Sequence, residues 1–197
     1  MDDNAALATE AADILRFWFG VSSLQAAVSR NEWFAKDAAF DAAIDERFFA
    51  VYERGAAGEL ESWRAQPESA LAYVLLFDQF PRNMFRGTPQ AFATDGKALS
   101  CAKAVVAAGF DERVPPLARV FFYLPFEHSE RLADQRYSLK LFGRVASHPG
   151  TEGVLDYARR HAAVIERFGR FPHRNAILGR TSTAEEEDFL QQPGSAF

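Results

Sequence analysis

Apolar residues recur at the spacing of an α-helix along almost the whole of this 197-residue chain. One such stripe consists of Phe40, Ile44, Phe48 and Val51. Charged residues occupy the opposite face of this stripe, which is typical of an amphipathic helix at the edge of a bundle. No stretch shows the strict alternation that a half-buried β-strand requires. The sequence therefore predicts an all-α fold, a compact irregular bundle of roughly eight to ten helices.

Two segments are apolar nearly all round, which is typical of helices that other helices enclose. They run from Ala70 to Phe77 and from Leu117 to Leu124, and only Arg119 interrupts them. Pro67 and Pro116 stand at the expected first position of each helix. We expect these helices to form the centre of one domain that spans residues 1–197, since no linker or low-complexity tract divides the chain.

Composition and charge exclude several classes of function. The formal net charge is −5, whereas nucleic-acid binding needs clustered Lys and Arg that neutralise phosphates. No apolar run approaches the ~18 residues of a membrane span and the N-terminus lacks a signal-peptide pattern, so we expect a cytoplasmic protein without a membrane partner. Cys101 is the one cysteine, which excludes a disulfide within the chain, and we expect it to be buried.

The most specific feature is a polar, arginine-rich segment that occurs twice. The first Phe-Pro segment begins Phe80-Pro81-Arg82-Asn83 and ends at Thr88, and the second begins Phe171-Pro172-His173-Arg174-Asn175 and ends at Thr181. Proline disfavours α geometry in the residue before it, so the preceding helices are expected to end at these points. Thr88 and Thr183 are then expected to cap the helices that follow.

The charges of these segments require partners. Asp78 falls in the last predicted turn of an apolar helix, where the helix dipole disfavours an anion and unpaired burial costs several kcal/mol. The candidate cations are Arg82, Arg86, Arg170 and Arg174. Either this arginine cluster is neutralised by Asp78, Glu127, Glu130 and Glu166, or it holds an anionic ligand. A guanidinium fork suits both arrangements, and both stay open.

A third polar stretch, Glu127-His128-Ser129-Glu130, follows Pro125, which is expected to break the second central helix. Its titratable groups are suited to acid–base work. Ser129 is expected to cap a helix, because chain neighbours rarely face each other as a nucleophile pair requires. His161 lies on an apolar stripe, which favours a hydrogen-bonded core histidine. No His and Glu pair has the spacing of known helical metal sites, so neither a metal nor a particular cofactor is predicted.

Taken together, the two Phe-Pro segments and the His-Ser-Glu stretch resemble a bacterial family named domain of unknown function nine-two-four. The resemblance runs from about Ile14 to Leu190. It implies a tetratricopeptide-like helical fold and carries over no activity, substrate or catalytic residue. The sequence itself shows neither a period of about 34 residues nor a tetratricopeptide consensus, which favours an irregular bundle with a concave side over an open repeat array.

We therefore expect the polar segments to converge in one pocket for a small anionic molecule. The candidate ligand-binding residues are Arg82, Asn83, Arg86, Arg170, His173, Arg174 and Asn175. The candidate orienting or proton-transfer residues are Asp78, Glu127, His128, Glu130 and His161. The alternatives are a tetratricopeptide-type module that binds a protein partner without catalysis, and a purely structural role for the motifs.

Overall fold

The protein is described by a computed structural model that covers the backbone of residues 3–195 and the side chains of residues 9–195. Within that range it has nine α-helices and no β-strand. The helices are α1 (Asp3–Phe19), α2 (Ala38–Ala56), α3 (Pro67–Val74), α4 (Phe80–Met84), α5 (Asp95–Ala107), α6 (Pro116–Glu127), α7 (Leu132–Gly143), α8 (Val154–Phe168) and α9 (Ala184–Leu190). Most are joined by short 3-10 turns, and the all-α prediction is confirmed.

Helices α3 and α6 form the centre, as their all-round apolar sequences predict. Helix α3 packs against α1, α5 and α6, and every residue of it from Ala70 onward is buried. Pro67 and Pro116 occupy first-turn positions of the two helices, where a missing N–H costs nothing. Cys101 is buried against α3, also as predicted. None of the helices in the described range is both long and apolar enough to cross a membrane.

The prediction that a helix ends at Phe80 is wrong. The chain stays helical from Pro67 to Met84, because a π-helical turn, Leu75–Gln79, joins α3 to α4. The π turn shifts the hydrogen-bond pattern just before Pro81, which then occupies the first turn of α4, where its missing donor is tolerated. Asp78 consequently lies inside a continuous helical run and not in its last turn.

The expected break at Pro125 is also absent, because α6 continues through this proline to Glu127. Before the second Phe-Pro segment, by contrast, the helix does end. Helix α8 stops at Phe168, and Gly169 follows with a φ of 69°, a left-handed conformation that glycine adopts without strain. The helix before the second Phe-Pro pair thus ends as predicted, but at a left-handed glycine, whereas the first Phe-Pro pair lies within a helical run.

The two predicted threonine caps have different outcomes. The Thr183 hydroxyl accepts a hydrogen bond from the Glu186 backbone N–H, and the Glu186 carboxylate accepts one from the Thr183 backbone N–H, which completes the capping box at α9. The prediction of a cap at Thr88 is wrong, since its hydroxyl donates instead to the Phe85 carbonyl at 2.8 Å. That bond closes the turn after α4 and leaves the following 3-10 turn without a side-chain cap.

Candidate functional site

An open cleft of about 370 Å³ lies where the start of α5, the end of α6 and the second Phe-Pro segment meet. Its polar lining consists of Asp95, His128, Ser129, Glu130 and Arg174. Its apolar lining includes Pro89, Phe92, Ala93, Leu99, Pro125 and Leu178. A cavity of about 200 Å³ elsewhere, beside α1 and the start of α6, contains none of the predicted site residues.

Asp78 is fully buried and orients His128 in the cleft. Its Oδ1 accepts a hydrogen bond from Nδ1 of His128 at 2.8 Å, and its Oδ2 accepts one from the Gln79 amide at 2.6 Å. Burial raises the pKa of Asp78, but nearby His128 and Arg82 outweigh burial and hold this pKa at about 2. Asp78 is therefore ionised, and Nδ1 of His128 is the nitrogen that carries the proton.

His128 is neutral at neutral pH. Burial and the charge of Arg82 lower its pKa below the ordinary 6.5, although Asp78 opposes this shift. Because Nδ1 is bound to Asp78, Nε2 is the ring nitrogen left for a ligand in the cleft that His128 lines. The hydrogen bond to Asp78 thus fixes the orientation of the His128 ring and leaves Nε2 unprotonated.

Arg82 is held by two carboxylates. Its guanidinium makes a two-bond fork to Asp95 at 2.9 and 3.1 Å, and its Nη1 lies 3.6 Å from Oδ1 of Asp78. It also donates to the backbone carbonyl of Asp78. Arg82 therefore lies beside the catalytic candidates, but its charge is balanced within the protein.

Arg174 differs from the other three predicted arginines. Its Nη1 donates to the His128 carbonyl at 3.1 Å, whereas its nearest carboxylate, Asp95, is 3.7 Å away. The guanidinium stacks on the rings of Phe92 and Phe171, with centroid distances of 4.8 and 4.4 Å. Burial and Arg82 lower its pKa to about 10, so Arg174 is still charged at neutral pH. Although only 6% exposed, it makes no hydrogen bond to a carboxylate within the described residues.

Several predicted ligand-binding residues make structural contacts instead. Asn83 and Arg86 both bind Asp41 of α2, at 2.7 Å and at 2.8 to 2.9 Å. These bonds tie the first Phe-Pro segment to α2, and neither residue lines the cleft. They support the internal-network interpretation for this part of the arginine cluster.

Arg170, directly before the second Phe-Pro segment, and Asn175 within it are tied to α9 in a similar way. Arg170 makes a two-bond fork to Glu186 at 2.6 and 2.7 Å, and the Asn175 amide lies 3.3 Å from the same carboxylate. The hydrogen bond from Arg170 lowers the pKa of Glu186 to about 2. Glu166 was predicted to neutralise the arginine cluster, and this prediction is wrong. Its side chain is exposed and lies 3.7 Å from Arg136.

Glu130 and Ser129 line the cleft with their side chains already bound. Glu130 pairs with Arg180 at 2.7 Å and accepts the backbone N–H of Phe171 at 2.8 Å. These bonds outweigh burial and lower the pKa of Glu130. Ser129 accepts the backbone N–H of Arg131 and donates to Asp134 at 2.8 Å. The N-cap position of α7 is Arg131, which has no side-chain cap, so the predicted capping role of Ser129 is wrong.

Glu127 and His161 form a buried pair at the end of α6. Nδ1 of His161 donates to the Tyr157 carbonyl at 3.0 Å and lies 3.4 Å from Oε1 of Glu127. Burial and the charge of Asp78 raise the pKa of Glu127 to about 8, and burial lowers that of His161 to about 3. Both are uncharged at neutral pH. The His161 ring centroid is 6.3 Å from that of His128.

His173 is the remaining predicted residue. Its ring stands 5.5 Å from that of Phe171, and burial and Arg174 lower its pKa to about 4. It is not among the residues that line the cleft. We find no group of three or more His, Cys, Asp or Glu placed to hold a metal ion in residues 9–195.

Sequence reasoning missed four residues that shape the site: Gln79, Phe92, Asp95 and Arg180. Asp95 carries one signal, since a carboxylate in the first turn of a helix is common, but that signal indicates only a helix start. Arg180 was visible in the second Phe-Pro segment, but its partner, Glu130, is 50 positions away. Contacts of this kind leave no local pattern.

Comparisons with known proteins agree with this fold. The family model described as "Bacterial protein of unknown function (DUF924)" matches residues 14–194. The solved structure of Protein of Unknown Function ATU0120 from Agrobacterium tumefaciens is 42% identical, covers 93% of this chain and 98% of its own, and superposes with a TM-score of 0.85. None of the curated proteins matches. Neither match is described as tetratricopeptide-like, so that description stays a prediction. The chain belongs to the DUF924 family.

Proposed function

We propose that the cleft binds a small anionic molecule through Arg174, and that His128 exchanges a proton with it through Nε2. The observation that carries this proposal is the 2.8 Å hydrogen bond from Nδ1 of His128 to the fully buried carboxylate of Asp78. A carboxylate in this position fixes both the tautomer and the orientation of a general acid–base histidine.

The surroundings of Asp78 favour a functional role over a packing role. A buried ion pair costs desolvation, and apolar residues of similar volume often give equal or greater stability. The π turn that contains Asp78 is a rare element that occurs frequently at functional sites. Both features are understandable if the protein retains this charge to orient His128.

Arg174 supplies the attraction for an anion. The stacking rings of Phe92 and Phe171 fix its guanidinium, so that little side-chain entropy is lost when a ligand binds. Arg174 does not donate a hydrogen bond to a carboxylate, whereas Arg82, Arg86 and Arg170 do. An anion at Arg174 would also raise the pKa of His128 and thereby favour proton uptake at Nε2.

Thermal unfolding in the presence of anions tests this proposal. Inorganic phosphate, sulfate and acetate are titrated into the wild-type protein, Arg174→Gln and Arg86→Gln. At a hundredfold excess over Kd, a bound anion should stabilise the wild type by about 2.7 kcal/mol. That gain corresponds to a rise in Tm of about 5 to 10 °C.

Arg86→Gln is the matched control, because Arg86 belongs to the first Phe-Pro segment and binds Asp41 outside the cleft. We expect this variant to keep the rise in Tm and Arg174→Gln to lose it. If no anion shifts the wild type and Arg174→Gln unfolds at a far lower temperature, Arg174 is part of an internal ion network and the proposal is wrong.

A further inference from the structure

Building on the proposed function, we propose that the ligand is a monocarboxylic acid with a small apolar body, such as a short branched aliphatic or an aromatic acid. Its carboxylate would bind Arg174, and its body would lie against the apolar side of the cleft. Three features carry this assignment: the pairing of the arginines at the cleft, the charges that line the cleft and the apolar residues of its walls.

The first feature is that, among the described residues at the cleft, Arg174 is the cation without a hydrogen-bonded carboxylate. Arg82 is committed to Asp95, and Arg180 is committed to Glu130. Arg174 uses one N–H for the His128 carbonyl, which leaves the other terminal N–H groups for a ligand. One guanidinium edge matches the two oxygens of one carboxylate, which accept two parallel hydrogen bonds.

The second feature is the charge of the cleft walls. Asp95 and Glu130 line the same cleft as Arg174, and Asp95 is 3.7 Å from the Arg174 guanidinium. Around the site, Asp78, Asp95 and Glu130 balance Arg82, Arg174 and Arg180. A single added negative charge can be balanced by one proton on His128. A dianion such as a phosphate monoester would leave a second negative charge beside two carboxylates, which opposes its binding.

The third feature is the apolar wall. Phe92, Leu99, Pro125 and Leu178 line the cleft together with Pro89 and Ala93. The Phe92 ring also stacks on the Arg174 guanidinium at 4.8 Å, so apolar surface begins directly beside the cation. An apolar group attached next to a carboxylate therefore contacts this wall when the carboxylate binds Arg174. The cleft volume of about 370 Å³ lies at the low end for small-molecule sites, which limits the body to a small one.

Isothermal titration calorimetry at pH 7.5 with matched probes tests the ligand class on the full chain. Benzoate and isovalerate have the carboxylate and the apolar body. Acetate lacks the body, benzamide lacks the charge, and phenyl phosphate carries about two charges at this pH. We expect benzoate or isovalerate to bind at least about tenfold more tightly than the other three, which corresponds to about 1.4 kcal/mol.

Two variants connect this preference to the structure. Arg174→Gln should abolish binding of benzoate and isovalerate. Leu178→Ala changes a partly exposed residue, so the protein should still fold. This variant should weaken benzoate and isovalerate binding severalfold and leave acetate binding unchanged, because only the apolar body contacts Leu178.

The outcomes separate this inference from the proposed function. If acetate or phenyl phosphate binds through Arg174 as tightly as benzoate and isovalerate, the assignment of an apolar monocarboxylate is wrong while the anion site stands. If benzamide binds as tightly as benzoate, the carboxylate is not recognised and the assignment is equally wrong. If none of the probes, nor inorganic phosphate or sulfate, binds the wild type, both the assignment and the proposed function are overturned.

Discussion

Replacing Asp78 by alanine is expected to lower the free energy of unfolding by about 3 to 5 kcal/mol. The Asp78 carboxylate is fully buried and accepts hydrogen bonds from His128 and Gln79. Its removal leaves the His128 and Gln79 N–H groups without this acceptor. Arg82 then keeps one neighbouring carboxylate, that of Asp95. Urea denaturation of the variant and the wild type under identical conditions gives the difference.

Asp13→Ala is the matched control for this measurement. Asp13 pairs with Arg16 at 2.6 Å, but the two side chains are 43% and 58% exposed, so solvent screens the pair. Its loss should cost less than about 1 kcal/mol. A similarly small cost for Asp78→Ala would show that the Asp78 carboxylate is solvated in solution, in conflict with the site described above.

The contribution of Glu127 to the free energy of unfolding should fall by about 1 to 2 kcal/mol between pH 6.5 and pH 8. Burial and Asp78 raise the pKa of Glu127 to about 8, whereas the unfolded chain has the ordinary value of 4.5. In this pH range the folded protein holds a proton that the unfolded chain lacks. The stability that this proton provides is lost as the pH rises through 8, with a limiting slope of about 1.4 kcal/mol per pH unit.

The buried histidines act in the opposite direction. The pKa values of His161 and His173 are lowered to about 3 and about 4, so these side chains are neutral in the folded protein above pH 6.5. In the unfolded chain, histidine has an ordinary pKa of 6.5, so it is half protonated at pH 6.5 and loses this proton as the pH rises to 8. The histidines therefore add stability over this range, and the Glu127 contribution is measured as the difference between the wild type and Glu127→Gln at each pH.

Two glutamine variants identify the responsible carboxyl. Glu127→Gln should remove the fall in stability between pH 6.5 and pH 8, because an amide does not titrate. Glu166→Gln, at a carboxyl that is 65% exposed, should leave the fall unchanged. A difference in stability between the wild type and Glu127→Gln that stays constant across this range would mean that Glu127 is ionised in the folded state.

The helices were predictable where one local signal decides the structure. The apolar segments that became α3 and α6, the first-turn prolines and the Thr183 capping box all depend on residues within one or two turns. The predictions failed at Phe80 and Pro125 because a buried proline is accommodated within a helical run at both places. At Pro81 the preceding π turn places the proline in a first helical turn, and at Pro125 helix α6 continues through the proline.

The sequence indicated residues of the candidate site but not which side chains bind each other. The sequence indicated that Asp78 needs a cation and that His128 and Arg174 belong to polar segments. The π turn that contains Asp78 changes the hydrogen-bond pattern by one residue, for which sequence spacing has no signal. The carboxylates that bind Arg82, Arg86 and Arg170 come from α5, α2 and α9. Only the tertiary fold therefore reveals that Arg174 is the predicted arginine without a hydrogen-bonded carboxylate.

The central claim is that Asp78 holds His128 with its unprotonated Nε2 at the cleft, and ring ¹⁵N chemical shifts of His128 test it most directly. At pH 7 we expect a proton on Nδ1, none on Nε2 and a pKa below the ordinary 6.5, because burial and Arg82 disfavour the charged ring. Saturating acetate should raise this pKa. A ring protonated on Nε2 at pH 7, or a pKa that acetate leaves unchanged, would contradict the account.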